Sequence, residues 1–293
     1  MLWEALEQAI TQATGEHFSS TDRSSVGGGS ISEAFVLSGG GRQYFVKSNR
    51  AELVAMFEAE AAGLAEILGT GSIRAPGPVC HGTAGDSSYL VLEYIPFGSA
   101  RAETQERLGE QLALMHRHTS PHFGWNRDNT IGSTPQRNTQ ANDWVAFLRD
   151  ERLGFQLQLA ARRGAPGRLL DAGAELLTLL PAFFTTHHPV PSLLHGDLWG
   201  GNWAADDAGR PVIFDPAVYY GDREADLAMT ELFGGFNDRF YHSYRHAWPY
   251  DAGFSKRKVL YNLYHVLNHY NLFGGGYAAQ AEDMINRLIA EVT

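Results

Sequence analysis

Cysteine is nearly absent: Cys80 stands alone in a chain of 293 residues. One thiol forms no intramolecular disulfide and rules out a zinc cluster built on cysteines. Long apolar runs are missing as well. The greasiest stretch, residues 176 to 184, is interrupted by Thr178 and Pro181 and is too short to span a bilayer. The opening Met1-Leu2-Trp3-Glu4-Ala5-Leu6-Glu7 has neither the basic region nor the apolar core of a signal peptide. A cytoplasmic location with no membrane partner is the expectation. Basic residues are in the minority, 23 against 33 acidic, for a net charge of −10. Nucleic-acid binding needs a basic face and is not expected, whereas an amine-bearing substrate is compatible with the acidic balance. Neither the G-x-x-x-x-G-K-[ST] loop of P-loop NTPases nor the HExxH of zinc proteases is present.

What is present is ordinary in bulk and specific in detail. Hydrophobic residues make up 44% and charged residues 19%, as in soluble globular enzymes. The length allows two lobes with a sizeable core. Within it, His195-Gly196-Asp197-Leu198-Trp199-Gly200-Gly201-Asn202 has the form H-x-D-x-x-x-x-N, and Val212-Ile213-Phe214-Asp215 follows. Kinase-type phosphotransferases use this arrangement for a base and two Mg²⁺ ligands.

The residues between supply a geometric reason. Trp203-Ala204-Ala205 and Pro211-Val212-Ile213-Phe214 are short apolar segments, separated by Asp206-Asp207-Ala208-Gly209, which is turn chemistry. They read as a β-hairpin. Asn202 precedes its first strand and Asp215 follows its second, so pairing brings both to one open end. An amide oxygen and a carboxylate there suit a hard cation that takes its other ligands from water and phosphate. Asp197, on the entering loop, is placed to take the proton of an attacking hydroxyl.

Along the chain, residues 3 to 13 carry a helical pattern and residues 19 to 25 read as a polar link. Ser30 to Leu37 and Gln43 to Lys47 read as strands joined at Gly39-Gly40-Gly41, and residues 52 to 69 as a helix. Val79 to Thr83 and Tyr89 to Tyr94 form a second strand pair. Beyond Pro96-Phe97-Gly98 the pattern turns helical, over roughly 103 to 118, 141 to 163, 168 to 184, 223 to 246 and 255 to 291. The expectation is an α+β, bilobal fold. Residues 1–97 form a small N-terminal lobe with an antiparallel sheet, and residues 98–293 a larger, mainly helical lobe.

The smaller lobe carries the nucleotide-handling candidates. Gly27-Gly28-Gly29-Ser30, entering a strand, would let backbone N–H groups approach phosphate oxygens, although a glycine run also serves as a flexible link. Lys47 ends the strand paired with that segment and is placed to meet the α and β phosphates. On the helix at 52 to 69, Leu53, Phe57, Glu60, Leu64 and Ile67 share one face. A glutamate in an apolar stripe is costly unless paired, so Glu60 rather than Glu58 is the expected partner of Lys47. Glu93, Tyr94 and Ile95 end the last strand of this lobe, where backbone groups either read the adenine edge or merely link the lobes. Asp226 follows in the first turn of a helix and reads as structural, accepting backbone N–H groups of the catalytic loop or capping the helix. His265 and Asn268 share a polar helix face that either lines a substrate pocket or is satisfied inside the core.

These residues together resemble the fructosamine kinase (ketosamine-3-kinase) family, a branch of the aminoglycoside-phosphotransferase-like and protein-kinase-like superfamily. The likeness runs nearly end to end. It includes Gly27 to Ser32, Phe45-Val46-Lys47, Phe57-Glu58-Ala59-Glu60, Asp128 to Gly132, His195 to Asn202, and Asn271-Leu272-Phe273-Gly274-Gly275. The resemblance implies phosphorylation of a ketosamine 3-hydroxyl by ATP with Mg²⁺. It implies Asp197 as base, Asn202 and Asp215 as metal ligands, Lys47 and Glu60 at the phosphates, and Trp199, His265 and Asn268 toward the sugar. The implied acceptor is a small-molecule or protein-bound ketoamine such as a fructosamine or ribulosamine, and the implied role is deglycation. Another hydroxylated amine, such as an aminoglycoside or choline, is the alternative acceptor within the same fold. The chain departs from some eukaryotic members in carrying Ser30 where they have a cysteine. Pro216-Ala217 after the metal aspartate argues against a protein-kinase-like flip of that segment.

Overall fold

The computed structural model describes residues 2–27 and 31–293. The fold class is α+β, in two compact units. One runs up to Thr104 and includes Trp203–Pro216; the other comprises Gln105–Asn202 and Ala217–Thr293.

The first unit begins with helix α1 (Leu2–Thr14). Its five strands are β1 (Asp22–Val26), β2 (Glu33–Gly39), β3 (Arg42–Arg50), β4 (Pro78–Ala84) and β5 (Ser87–Glu93). They form one antiparallel sheet in the order β1-β2-β3-β5-β4. Strand alternation sends Tyr44, Val46, Tyr89 and Val91 to one face, where they close a core with Leu6 and Ile10 of α1 and with Phe18. Gly39 pairs with Arg42, and the two-residue turn between them places Gly40 and Gly41 at φ of 58° and 76°. Positive φ at both central positions is what a tight hairpin requires.

β1 corrects the expected polar link over residues 19 to 25. All its residues are exposed, and its sequence Asp-Arg-Ser-Ser-Val has no apolar alternation. It is an edge strand held by backbone pairing to β2, from Asp22 opposite Ser38 to Val26 opposite Ala34, so side-chain patterning carries no sign of it.

Helix α2 (Val54–Gly69) lies between β3 and β4 in sequence and buries Phe57, Ala59, Ala61, Leu64 and Ile67. After the sheet, the short strand β6 (Phe97–Gly98) pairs with Trp203–Asp206, which in turn pairs with Pro211–Ile213. The hairpin expected between Asn202 and Asp215 therefore forms, with Trp203 opposite Ile213. Asp206 ties its turn by accepting the N–H groups of Ala208 and Arg210 at 3.0 and 2.8 Å, while Gly209 takes φ of 80°. Pairing with β6 and stacking of Phe97 on Phe214, centroids 5.3 Å apart, put this hairpin in the first unit, although it lies beyond residue 97 in the chain.

The second unit is mainly helical. Two stretches expected as single helices are each divided. Residues 223 to 246 form Glu224–Leu232 and Asp238–Ala247, with Gly234 and Gly235 at φ of 73° and 98° between them. Residues 255 to 291 form Phe254–Phe273 and Tyr277–Ala290, broken at Gly274 and Gly275. No proline marks either break, and glycines are tolerated inside a helical pattern, so pattern reading passes over both. Two antiparallel pairs also went unread, Ser192–Leu194 with Tyr219–Gly221 and Asn129–Ile131 with Thr134–Gln136. Three residues are too few for a two-residue period to stand out. Among the described residues, no helix is long and apolar enough to cross a membrane.

Candidate active site

Two side-chain constellations carry the motif residues, one in each unit. In the first, Lys47 sits on β3 opposite Leu90 of β5. Its Nζ donates to Glu60 Oε1 at 2.6 Å and to Asp215 Oδ1 at 2.7 Å. On α2, Glu60 is partly buried, whereas Glu58 is exposed. Burial works against the Lys47 charge, but the carboxylates of Glu60 and Asp215 outweigh it and hold the ammonium above its ordinary pKa. Burial and the Asp215 charge push Glu60 up, against the pull of Lys47.

Asp215 is the one non-glycine residue with positive φ among those described, at 57°. Such a conformation costs on the order of 1–3 kcal/mol and persists where the surroundings over-determine it. Here the hairpin precedes it, Pro216 follows it, and Lys47 holds its carboxylate.

At the end of β5, Glu93 accepts from Arg74 Nη2 at 2.7 Å and from the Gly77 N–H at 3.2 Å, and its own N–H donates to the Gly77 carbonyl at 2.8 Å. Of the backbone groups expected to read a base, the Glu93 N–H is thus already paired. Tyr94 is half-buried and Ile95 is buried. Gly27 follows β1, and a Cβ there meets open space. Gly28, Gly29 and Ser30 lie outside the described residues.

The second constellation is the His195–Asn202 loop. Asp226 Oδ2 accepts the His195 N–H at 2.7 Å, and its Oδ1 accepts the Gly196 N–H at 2.8 Å. Its Oδ2 also meets His116 Nε2 at 3.1 Å, and His116 Nδ1 lies 2.8 Å from the Tyr244 hydroxyl. All three side chains are buried. Burial opposes the Asp226 charge, yet His116 and the loop amides overcome it and hold the carboxyl below its usual range. Gly196 takes φ of 82°, and a Cβ there would lie 2.0 Å from the Ala217 carbonyl oxygen, so no other residue fits.

Asp197 is partly exposed between the buried Gly196 and Leu198. Asn202 Nδ2 donates to the Asp197 carbonyl at 2.8 Å and to its Oδ2 at 3.2 Å. With its nitrogen turned to Asp197, Asn202 presents its amide oxygen on the other side. That oxygen and the half-exposed Asp215 carboxylate are hard donors of the kind Mg²⁺ takes.

Trp199 is 39% exposed, and its indole lies over Gly201, where a Cβ would fall 2.4 Å from the ring. Gly200 donates to the Gly234 carbonyl at 3.1 Å, tying the loop to the break between two helices. His265 is buried, which with the neighbouring His269 drives its pKa down to about 3. Asn268 is engaged in the helical packing: its Oδ1 accepts from Gln156 and its Nδ2 donates to the Ile131 carbonyl, both at 3.3 Å.

The family model described as fructosamine kinase matches residues 2–291. The chain belongs to the fructosamine kinase family. It is 47% identical over 288 residues to the "probable ketoamine kinase" of Synechocystis sp., covering 98% of this chain and 97% of that protein. It is 46% identical over 267 residues to the chloroplastic protein-ribulosamine 3-kinase of Arabidopsis thaliana, covering 89% of this chain and 81% of that protein. A crystal structure from Haemophilus somnus, described as a candidate fructosamine-3-kinase, superposes with a TM-score of 0.90 at 28% identity, covering 98% and 97% of the two chains. The aminoglycoside phosphotransferase APH(4)-Ia shares the fold alone, with a TM-score of 0.65 at 16% identity over 97% and 98%.

As a fructosamine kinase family member, the protein is a phosphotransferase acting on a hydroxyl group, and the family implies use of ATP. His116 was missed in the sequence. It is 110 residues from Asp226, and a lone histidine ending an amphipathic helix carries no signal of its partner.

Proposed function

We propose that this fructosamine kinase family member transfers the γ-phosphoryl group of ATP to the 3-hydroxyl of ketosamines such as fructosamines and ribulosamines. The observation that carries the reading is the His195–Asn202 loop, held from beneath by Asp226, in a chain whose relatives are named ketoamine and ribulosamine kinases. Asp197 is the base. It takes the proton as the sugar oxygen bonds to phosphorus and the bond to the β-phosphate oxygen breaks, leaving ADP. Asn202 and Asp215 would hold Mg²⁺, which supplies charge neutralisation at the phosphates. Lys47, kept charged by Glu60 and Asp215, meets the non-reacting phosphates. The phosphate-handling role expected of Gly27, Gly28, Gly29 and Ser30 belongs to this reading, and the segment Glu93, Tyr94 and Ile95 receives the base. Trp199 faces the sugar.

The product carries phosphate beside a ketone-bearing carbon chain, where it is a good leaving group. Its loss frees the amine, so the activity amounts to deglycation. Acceptors such as aminoglycosides or choline are the second reading, which has only likeness of fold behind it. An ADP-release screen with fructosamine, ribulosamine, aminoglycoside and choline acceptors separates them. Turnover confined to the two ketosamines is expected; turnover confined to the others would overturn the assignment.

A further inference from the structure

A continuous run of rings leads away from the Asp197 loop on the surface of the second unit. Trp199 meets Phe233 edge-on at 6.4 Å, and Phe233 meets His269 at 4.9 Å. His269 in turn meets Phe273 at 5.6 Å and Tyr277 at 5.2 Å. Large apolar side chains are seldom left open in a group without a reason. Here Trp199, Phe233 and Phe273 are 39%, 42% and 65% exposed. The run comes from three separate places: the catalytic loop, the end of the Glu224–Leu232 helix, and the two C-terminal helices around the Gly274-Gly275 break. The Gly200–Gly234 hydrogen bond fastens the first two together.

His269 adds polarity of a defined sense. Its Nδ1 lies 2.8 Å from the His265 carbonyl. A carbonyl only accepts, so Nδ1 carries the proton and Nε2 of the neutral ring is an acceptor. An acceptor nitrogen among Phe233, Phe273 and Tyr277 suits a ligand with an N–H donor, a positive charge and methylene groups. Aromatic faces favour such cations.

We propose that Phe233, His269, Phe273 and Tyr277 seat the amine arm of the acceptor: the protonated secondary amine and the alkyl chain beyond it. This rests on the ketosamine reading. In a ketosamine the arm is bonded to the sugar, so a sugar presented to Asp197 past Trp199 must lay its arm on the adjoining surface. The run of rings begins at Trp199. The occupant is thus a long aliphatic amine arm, as on a lysine side chain.

The test compares two acceptors with the same sugar, fructosyl-methylamine and Nε-fructosyl-lysine within a short peptide, by kcat/KM. Both acceptors carry the same ammonium, so the wild-type enzyme should prefer the longer arm by about tenfold through its extra methylenes, the scale of burying roughly two of them. In Phe273→Ala and Tyr277→Ala, both at the outer end of the run, that ratio should fall toward one, with Phe273→Leu retaining part of it. Circular dichroism establishes that each variant is folded. Turnover of both acceptors with an equal kcat/KM in the wild type, or a ratio unmoved by the substitutions, overturns the seat and leaves the kinase reading intact. No turnover of either acceptor overturns both.

Discussion

Lys47 and Asp215 are 168 residues apart in the chain, and the lysine ammonium lies 2.7 Å from the aspartate carboxylate. The same ammonium lies 2.6 Å from Glu60. One cation thus joins the sheet, α2 and the residue that leaves the hairpin. Removing it leaves two carboxylates facing one another. Lys47→Ala should lower stability by about 1–3 kcal/mol, below the 3–5 of a fully buried pair because Asp215 is half-exposed. It should also abolish measurable turnover. In a Lys47→Ala, Glu60→Gln cycle, the coupling energy should exceed about 1 kcal/mol. Additive losses would mean that Glu60 does not act through Lys47.

Asp197→Asn keeps the size of the side chain and removes the basic oxygen. The expected result is a fall in kcat of roughly 10²–10⁴-fold, the usual general-base contribution, with ATP affinity by calorimetry nearly unchanged. Near-normal turnover would remove Asp197 from the role of base.

Asp226 acts through the loop rather than on the substrate. Asp226→Asn offers one acceptor oxygen where two now bind the His195 and Gly196 N–H groups. Stability and kcat should fall together, by about 2–4 kcal/mol and at least about tenfold, because a buried charged hydrogen-bond partner is lost. The carboxyl is held below its ordinary value. Its contribution is therefore present above pH about 4 and is lost as pH falls through the folded value. Urea unfolding at pH 7 and near pH 3 should show the wild type losing part of this increment, while Asp226→Asn changes less.

His187 gives the opposite pH slope. Its Nε2 lies 2.6 Å from Asp222 and its Nδ1 2.9 Å from Asp251, with Glu224 at 3.8 Å. The Tyr261 hydroxyl donates to Asp222, and Arg257 pairs with Glu224 at 2.7 Å. Burial works against the imidazolium, but the surrounding carboxylates outweigh it and raise the pKa. A raised value means that the stabilisation is complete below pH about 6.5 and is lost as pH rises through the folded pKa. Tm measured from pH 6 to 9 should fall more steeply for the wild type than for His187→Gln. Parallel curves would show that His187 is not the group responsible.

The parts of this structure that were legible in the sequence were those where a residue type conflicts with its local pattern or completes a turn. Glu60 interrupts an apolar helical stripe, and its partner is the lysine expected for it. Asp206 and Gly209 announced the hairpin, which formed where it was read. Asp226, in the first turn of its helix, proved to hold the loop amides. What escaped had no local signature. β1 pairs with β2 through its backbone, and its side chains show no apolar alternation. The helix breaks rest on Gly234-Gly235 and Gly274-Gly275, whose positive φ angles were available to those glycines but not demanded by the flanking periodicity. The His116–Asp226 pair and the ring run from Trp199 to Tyr277 join residues distant in sequence, and only the packing of the helical unit brings them together.

The most direct test of the central assignment is phosphorus NMR of the product formed from ATP and a fructosamine. Phosphate bonded to the sugar 3-oxygen, formed by the wild type and lost in Asp197→Asn, is the predicted result. Phosphate on another oxygen, or ATP hydrolysis with no phosphorylated sugar, would contradict it.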